Sequence, residues 1–215
     1  MLENPLKIFE TELSKISKKV DHQQEKNEMR TREVPWLIFM NMDFETRFQL
    51  VLNKFQKTPP QITTKYKYFL GGFLEGEGSL CVSIKQNKKI RIDPEFNICQ
   101  HKKGIIHLIG FMFLFKTGGI SFKTGSNATY VYKMTNRKAL KEKFIPYYKK
   151  YVFPYASQQK NKRFYIFQNI LDLFEQKVHL NKKGLAFQIL PLVYEMSANK
   201  KKTLKQLQDY VLIDS

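Results

Sequence analysis

Acidic residues are scarce in this chain: 19 aspartates and glutamates stand against 37 lysines and arginines, a formal net charge of +18 over 215 residues. Such a surface repels itself unless something anionic is bound. Nucleic acid is the first partner this suggests, although lysine richness beside plentiful Asn, Ile and Phe also fits the codon bias of an AT-rich genome. An anionic membrane fits less well, because no basic amphipathic helix stands out. Cysteine is scarcer still. Cys81 and Cys99 show no metal-ligand spacing, and one pair makes no disulfide framework, so a reducing compartment is expected. No apolar run reaches transmembrane length, and the N-terminus, with early acids and no unbroken apolar stretch, does not resemble a secretory signal. No internal repeat is visible. What the chain has in quantity is aromatic residues, 18 Phe and 11 Tyr, which supply a real core and argue against disorder.

Apolar positions spaced by threes and fours predict a helix over 5–20, followed by a polar stretch, an apolar segment around VPWLIF and a second helix over 43–55. Pro59-Pro60 breaks helix and favours extended chain, so residues 1–60 are expected to form a largely helical extension and 61–215 the main domain. A helix over 65–76 leads into a strand in which Leu80, Val82 and Ile84 alternate with Ser79, Cys81, Ser83 and Lys85. A second strand over 91–100 turns Ile92, Phe96 and Ile98 inward and Arg91, Asp93, Glu95 and Asn97 outward. An apolar helix stopped by Gly118-Gly119, a hairpin turning at 124–127, a helix capped by Asn136, and helices over 158–177, 184–199 and 203–213 complete an α+β chain. One face of its antiparallel sheet carries polar and basic side chains of a kind that address base edges when a ribbon enters the major groove.

The stretch FLGGFLEGEGS, residues 69–79, combines glycines one helical turn apart with two acids. Small residues at that spacing let a second helix approach closely, and Gly78 ends the helix. The glycines do not explain Glu77, a carboxylate at the negative pole of a helix dipole. A divalent cation would resolve that conflict, because carboxylates and backbone carbonyls are the oxygen ligands Mg²⁺ accepts.

Leu70 to Gly78, LGGFLEGEG, resembles the signature of the LAGLIDADG homing endonucleases, with Gly for Ala twice and Glu for Asp twice. The element order over about 65–200 matches, and DPEFNICQH and TGGISFKTGSNAT resemble the single-motif enzymes encoded by group I introns in chloroplast large-subunit rRNA genes. The resemblance implies an αββαββα core with a saddle-shaped DNA-binding sheet, used as a homodimer. The implied activity is a divalent-metal-dependent double-strand break with short 3′ overhangs in a long pseudo-palindromic intron-insertion site. Mg²⁺ is the expected cofactor, with Mn²⁺ or Ca²⁺ as alternative occupants. By resemblance, Glu77 and the Gly76 carbonyl hold metal, Gln100 positions water, and Lys160 is the basic group at the scissile phosphate, with Lys162 and Arg163 as competitors. Lys102, Lys103 and Lys123 are candidates for a second basic group. Strict alternation puts Gln100 on the Phe96/Ile98 side, so a bulge or the strand end must redirect it.

The helix pair that joins two copies is expected to use Leu70, Gly71, Gly72, Leu74, Glu75 and Gly76, with Glu75 as structural support. Base contacts are expected from Ser83, Lys85, Asn87, Arg91, Asp93, Glu95, Asn97, Ser121, Lys123, Thr129 and Lys133. Asp93 and Glu95 either accept from cytosine or are repelled from phosphate. His107 is expected on a helix face, since no His-Cys or His-Asn metal spacing supports another nuclease type. The implied location is a chloroplast, with the mitochondrion as alternative. A maturase binding its own intron RNA, and a catalytically silent DNA-binding protein, are the alternatives on the same fold.

Overall fold

The computed structural model describes residues 41–86, 90–197 and 202–213, and the compact unit that carries the site is Phe44–Ser215. The helix expected over 5–20, the VPWLIF segment and Asn87 lie outside the described residues.

Alternation sets the sheet. β1 (Gly78–Gln86) and β2 (Ile90–His101) pair antiparallel from Gly78↔Ile98 to Gln86↔Ile90. β4 (Thr129–Met134) pairs with β2, and β3 (Gly119–Phe122) with β4, giving the order β1-β2-β4-β3. Leu80, Val82, Ile92, Phe96, Ile98, Ile120, Tyr132 and Met134 are buried on one face. The other face is free for polar side chains, as the period of two requires.

The helices that cover the apolar face follow from their caps. Thr63 caps α2 (Thr64–Glu77), accepting from the Tyr66 N–H at 3.1 Å, and Asn136 caps a helical stretch over 137–151 (α4) by accepting from the Ala139 N–H at 2.9 Å. Between them, α3 (Ile105–Phe115) ends with Lys116 in the left-handed region, and Gly118 follows at φ +74. A Cβ at Gly118 would lie 2.4 Å from the Lys133 carbonyl, so the turn into β3 requires glycine there. Ser157 caps α5 (Gln158–Glu175); a stretch over 182–196 (α6) and α7 (Leu204–Ile213) follow. Pro146 and Pro191 stand just after π-wound turns, Leu140–Phe144 and Leu185–Ile189. Proline cannot donate to the carbonyl one turn back and its ring crowds that carbonyl, and a widened turn relieves both.

Phe96 sits at the centre of the core, its ring 4.5 Å from Phe144, 5.9 Å from Phe111 and 6.0 Å from Tyr132. Truncating it to alanine would cost about 3–5 kcal/mol. The helix before Pro59-Pro60, expected to belong to the extension, is α1 (Phe44–Phe55), and it is part of this unit. Phe48 stacks on Phe113 of α3 at 5.0 Å, and the buried Arg47 donates to the Gly118 carbonyl at 2.7 Å.

Candidate functional site

Helix α2 runs directly into β1, so its C-terminal end lies at one end of the sheet. Antiparallel pairing brings the start of β1, the end of β2, the start of β4 and the end of β3 to that same end. Glu77, Gln100, Lys102, Lys103, Lys123 and Thr129 therefore gather there. The two acids of α2 part company. Glu77, its last residue, is exposed. Glu75 turns onto its own chain: its Oε1 accepts from the Ser157 N–H at 3.1 Å, where α5 begins. An acid at a helix N-terminus is favoured by the dipole. The Glu75 Oε2 is buried without a hydrogen bond, 4.0 Å from the Lys160 ammonium.

Lys160 resolves the conflict at the negative pole of α2. From the first turn of α5 its Nζ donates to the carbonyls of Glu75, Leu74 (3.3 Å) and Gly78 (3.3 Å), which places positive charge where the last carbonyls accumulate negative charge. Its competitors are committed elsewhere. Lys162 pairs with Glu195 at 2.9 Å on the surface, and Arg163 donates to the carbonyls of Leu80 and Met196, both at 2.9 Å. Gly76 is exposed, and its carbonyl is not among those Lys160 bonds.

The ladder between β2 and β4 is unbroken through His101↔Thr129, so no bulge redirects Gln100. Its side chain lies against Gly104, where a Cβ would come within 2.8 Å of the Gln100 Cγ, and its Oε1 accepts from the His101 N–H at 2.7 Å. Gln100 follows Ile98, the partner of Gly78, by two residues, and Glu77 precedes Gly78 by one. Glu77, just before β1, and Gln100, near the end of β2, thus lie at the same end of the sheet.

The donor set suits a hard divalent cation in part. Among the described residues no group of three or more His, Cys, Asp or Glu could hold a metal. Mg²⁺ typically takes one or two carboxylates together with substrate phosphates. One exposed carboxylate and nearby carbonyls per chain meet that pattern only when a second copy and a phosphate complete it.

The solvent face of the sheet carries Ser83, Lys85, Arg91, Asp93, Glu95, Asn97, Ser121, Thr129 and Lys133, as alternation predicts, and Lys123 is exposed just past β3. Asp93 pairs with Lys85 at 2.8 Å and Arg91 at 3.0 Å; Glu95 accepts from Asn97 at 2.8 Å and lies 3.6 Å from Lys133. Burial alone would raise the Asp93 carboxyl, but the hydrogen bonds and charges of Lys85 and Arg91 outweigh it and hold the group below the ordinary aspartate value. Cys99 and His101 share this face and were missed, although the same parity points to them. Lys202 was missed too: from the segment before α7 it donates to Gln86 Oε1 at 2.6 Å, at the far end of β1. The lysine run at 200–202 was the available signal.

The expected helix-pairing face needs correction. Leu70, Gly71 and Leu74 are buried within the chain. A Cβ on Gly71 would stand 2.4 Å from the Tyr151 carbonyl, so this glycine admits α4 rather than a second copy. Glu75 faces α5, as above. Gly72 and Gly76 are exposed, and among the described residues nothing lies within 4 Å of where a Cβ would stand, beside exposed Tyr68 and Phe69. His107 of α3 lies against Phe69 and Phe73 at 5.1 and 5.0 Å, on a helix face as expected, and burial lowers its pKa.

Residues 70–171 match the LAGLIDADG endonuclease family. The chain is similar to the DNA endonuclease I-CeuI of Chlamydomonas moewusii, 42% identical over 146 residues that make up 66% of this chain and 67% of that protein. Among solved structures it is similar to the group I intron-encoded homing endonuclease I-CeuI complexed with DNA, at TM-score 0.74 and 34% identity over 94% of this chain and 93% of that one. It also resembles the archaeal intron-encoded homing endonuclease I-Vdi141I complexed with DNA, at TM-score 0.62 and 28% identity over 70% and 96% of the two chains.

Proposed function

The chain belongs to the LAGLIDADG endonuclease family, and from that premise we propose that it is a homing endonuclease working as a homodimer on a long, roughly palindromic duplex. The observation that carries the reading is the end of α2: an exposed Glu77, a neutralised helix pole and an open glycine face at Gly72 and Gly76. Two copies packed on that face bring two Glu77 carboxylates together over the two scissile phosphates. The signature occurs once in the chain, so half a site per copy is what the sequence encodes. A two-fold dimer then reads two half-sites with two copies of one sheet face.

A bound Mg²⁺ would supply Lewis-acid stabilisation of the attacked phosphate and of the leaving 3′ oxygen. Glu77 and the Gly76 carbonyl are the residues that would hold it. Lys160 keeps the α2 end rigid and adds positive charge near the phosphate, and Gln100, at the neighbouring strand end, orients the attacking water. The product is a staggered break with short 3′ overhangs. With an intron-encoded relative as its counterpart, the reading puts the protein at an intron-insertion site in an organelle, the chloroplast first.

Incubating the purified protein with a duplex carrying an intron-free rRNA gene tests this. We expect one double-strand cut with Mg²⁺ and none in EDTA. Binding without any cut, or binding only to intron RNA, would overturn it.

A further inference from the structure

Two acids on a face that meets polyanionic DNA demand an explanation. Each would oppose phosphate, and ion pairs whose cations stand in solvent contribute little to stability, so sheet stability alone does not account for them. Their depth suggests the answer. The Asp93 and Glu95 side chains are only 28% and 23% exposed, while the cations they hold stand higher: Lys85 at 53%, Arg91 at 66% and Lys133 at 37%. The carboxylates lie beneath and the cations reach outward.

The register sharpens this for Asp93. Lys85 and Arg91 are directly opposite each other across β1 and β2, an arrangement of like charges that is unfavourable by itself. Asp93 follows Arg91 by two residues on the same face, and a single oxygen, Oδ2, receives all three approaches: Lys85 Nζ at 2.8 Å, Arg91 Nε at 3.0 Å and an Arg91 terminal nitrogen at 3.0 Å. Arg91 is thereby bonded through one edge of its guanidinium, and its outer fork keeps the donors that match guanine O6 and N7. Both cations have long side chains whose rotamer freedom must be lost to read a base. Here part of that loss has been met before DNA arrives.

We propose that Asp93 is a positioning residue for base reading, which fixes Lys85 and Arg91 in their reading orientation and touches no base itself; Glu95 serves Asn97 and Lys133 in the same way. The proposal rests on the reading that this sheet face meets duplex DNA. Lys85 lies eight residues beyond Glu77, about 26 Å along the strand at roughly 3.3 Å per residue. That corresponds to about eight base pairs from the cut at roughly 3.4 Å per step. The depressed Asp93 pKa agrees with a carboxylate held ionised by its two cations.

The test profiles base preference by binding wild type, Asp93→Asn, Arg91→Ala and Lys85→Ala to a pool of randomised duplexes and to one random-sequence duplex across a salt series. Arg91→Ala and Lys85→Ala should flatten preference at two or three outer base pairs. Asp93→Asn should flatten the same positions by about tenfold. It should also bind the random duplex more tightly, with a salt slope steeper by about one phosphate, and its melting temperature should be close to wild type. A profile unchanged in Asp93→Asn, a uniform loss at all positions, or a change at a position that Arg91→Ala and Lys85→Ala leave alone would overturn the proposal. If Arg91→Ala and Lys85→Ala alter neither profile nor affinity, the sheet face is not the reading face, and the underlying reading falls with the proposal.

Discussion

Lys160, Lys162 and Arg163 lie within one turn of α5, and the structure gives each a different task. Lys160 bonds the last carbonyls of α2, Lys162 sits in an exposed pair with Glu195, and Arg163 ties β1 to the end of α6. Lys160→Ala should therefore lower cleavage by about 10²–10³-fold, the cost of removing one positioned electrostatic donor. Lys162→Ala should leave cleavage and stability within about 1 kcal/mol of wild type. Arg163→Ala should destabilise by about 1–3 kcal/mol, because two partly buried carbonyls lose their donor. Single-turnover cleavage beside thermal melting separates the three. A Lys160→Ala enzyme that cuts normally would remove this side chain from the site.

At the scale of the element, α2 has two faces with opposite demands on their glycines. Gly71→Ala drives a methyl into the Tyr151 carbonyl and should destabilise the protomer by about 1–3 kcal/mol, the usual cost of overpacking. Gly72→Ala meets nothing among the described residues and should stabilise the isolated helix by up to about 1 kcal/mol. The same change should weaken self-association, which sedimentation at graded concentrations reads. The α2–α3 contact also titrates. Burial holds the His107 pKa below its ordinary value, so the folded state disfavours its protonation. The stability of this contact is fully present above about pH 6.5, the unfolded value, and is lost as pH falls through that value towards the depressed folded one. Melting temperature should drop between pH 7.5 and 5.5, and His107→Gln should flatten that drop. His179, lowered by burial and by the Arg137 charge, leaves a residual slope.

Across the whole molecule, the excess of positive charge predicts steep salt dependence. A dimer making roughly 6–10 phosphate contacts should lose about 10³–10⁵-fold in affinity between 50 and 200 mM salt. Much of the architecture was legible in the residues: parity assigned the two faces of β1 and β2, and Asn136 announced its cap. Other features required three dimensions. Periodicity marks the apolar side of α2 but not what covers it, so Leu70, Gly71 and Leu74 could not be separated from Gly72 and Gly76. The pairing of Asp93 with two cations depends on cross-strand register, and the docking of Lys160 on carbonyls of a helix some 80 positions earlier leaves no local pattern. The central claim, that Glu77 cuts while the sheet binds, is tested most directly by measuring binding and cleavage of one target duplex by wild type and Glu77→Gln in Mg²⁺. The account predicts equal band shifts and no cut by the variant. A variant that still cuts at the wild-type rate, or that loses binding together with cleavage, would contradict it.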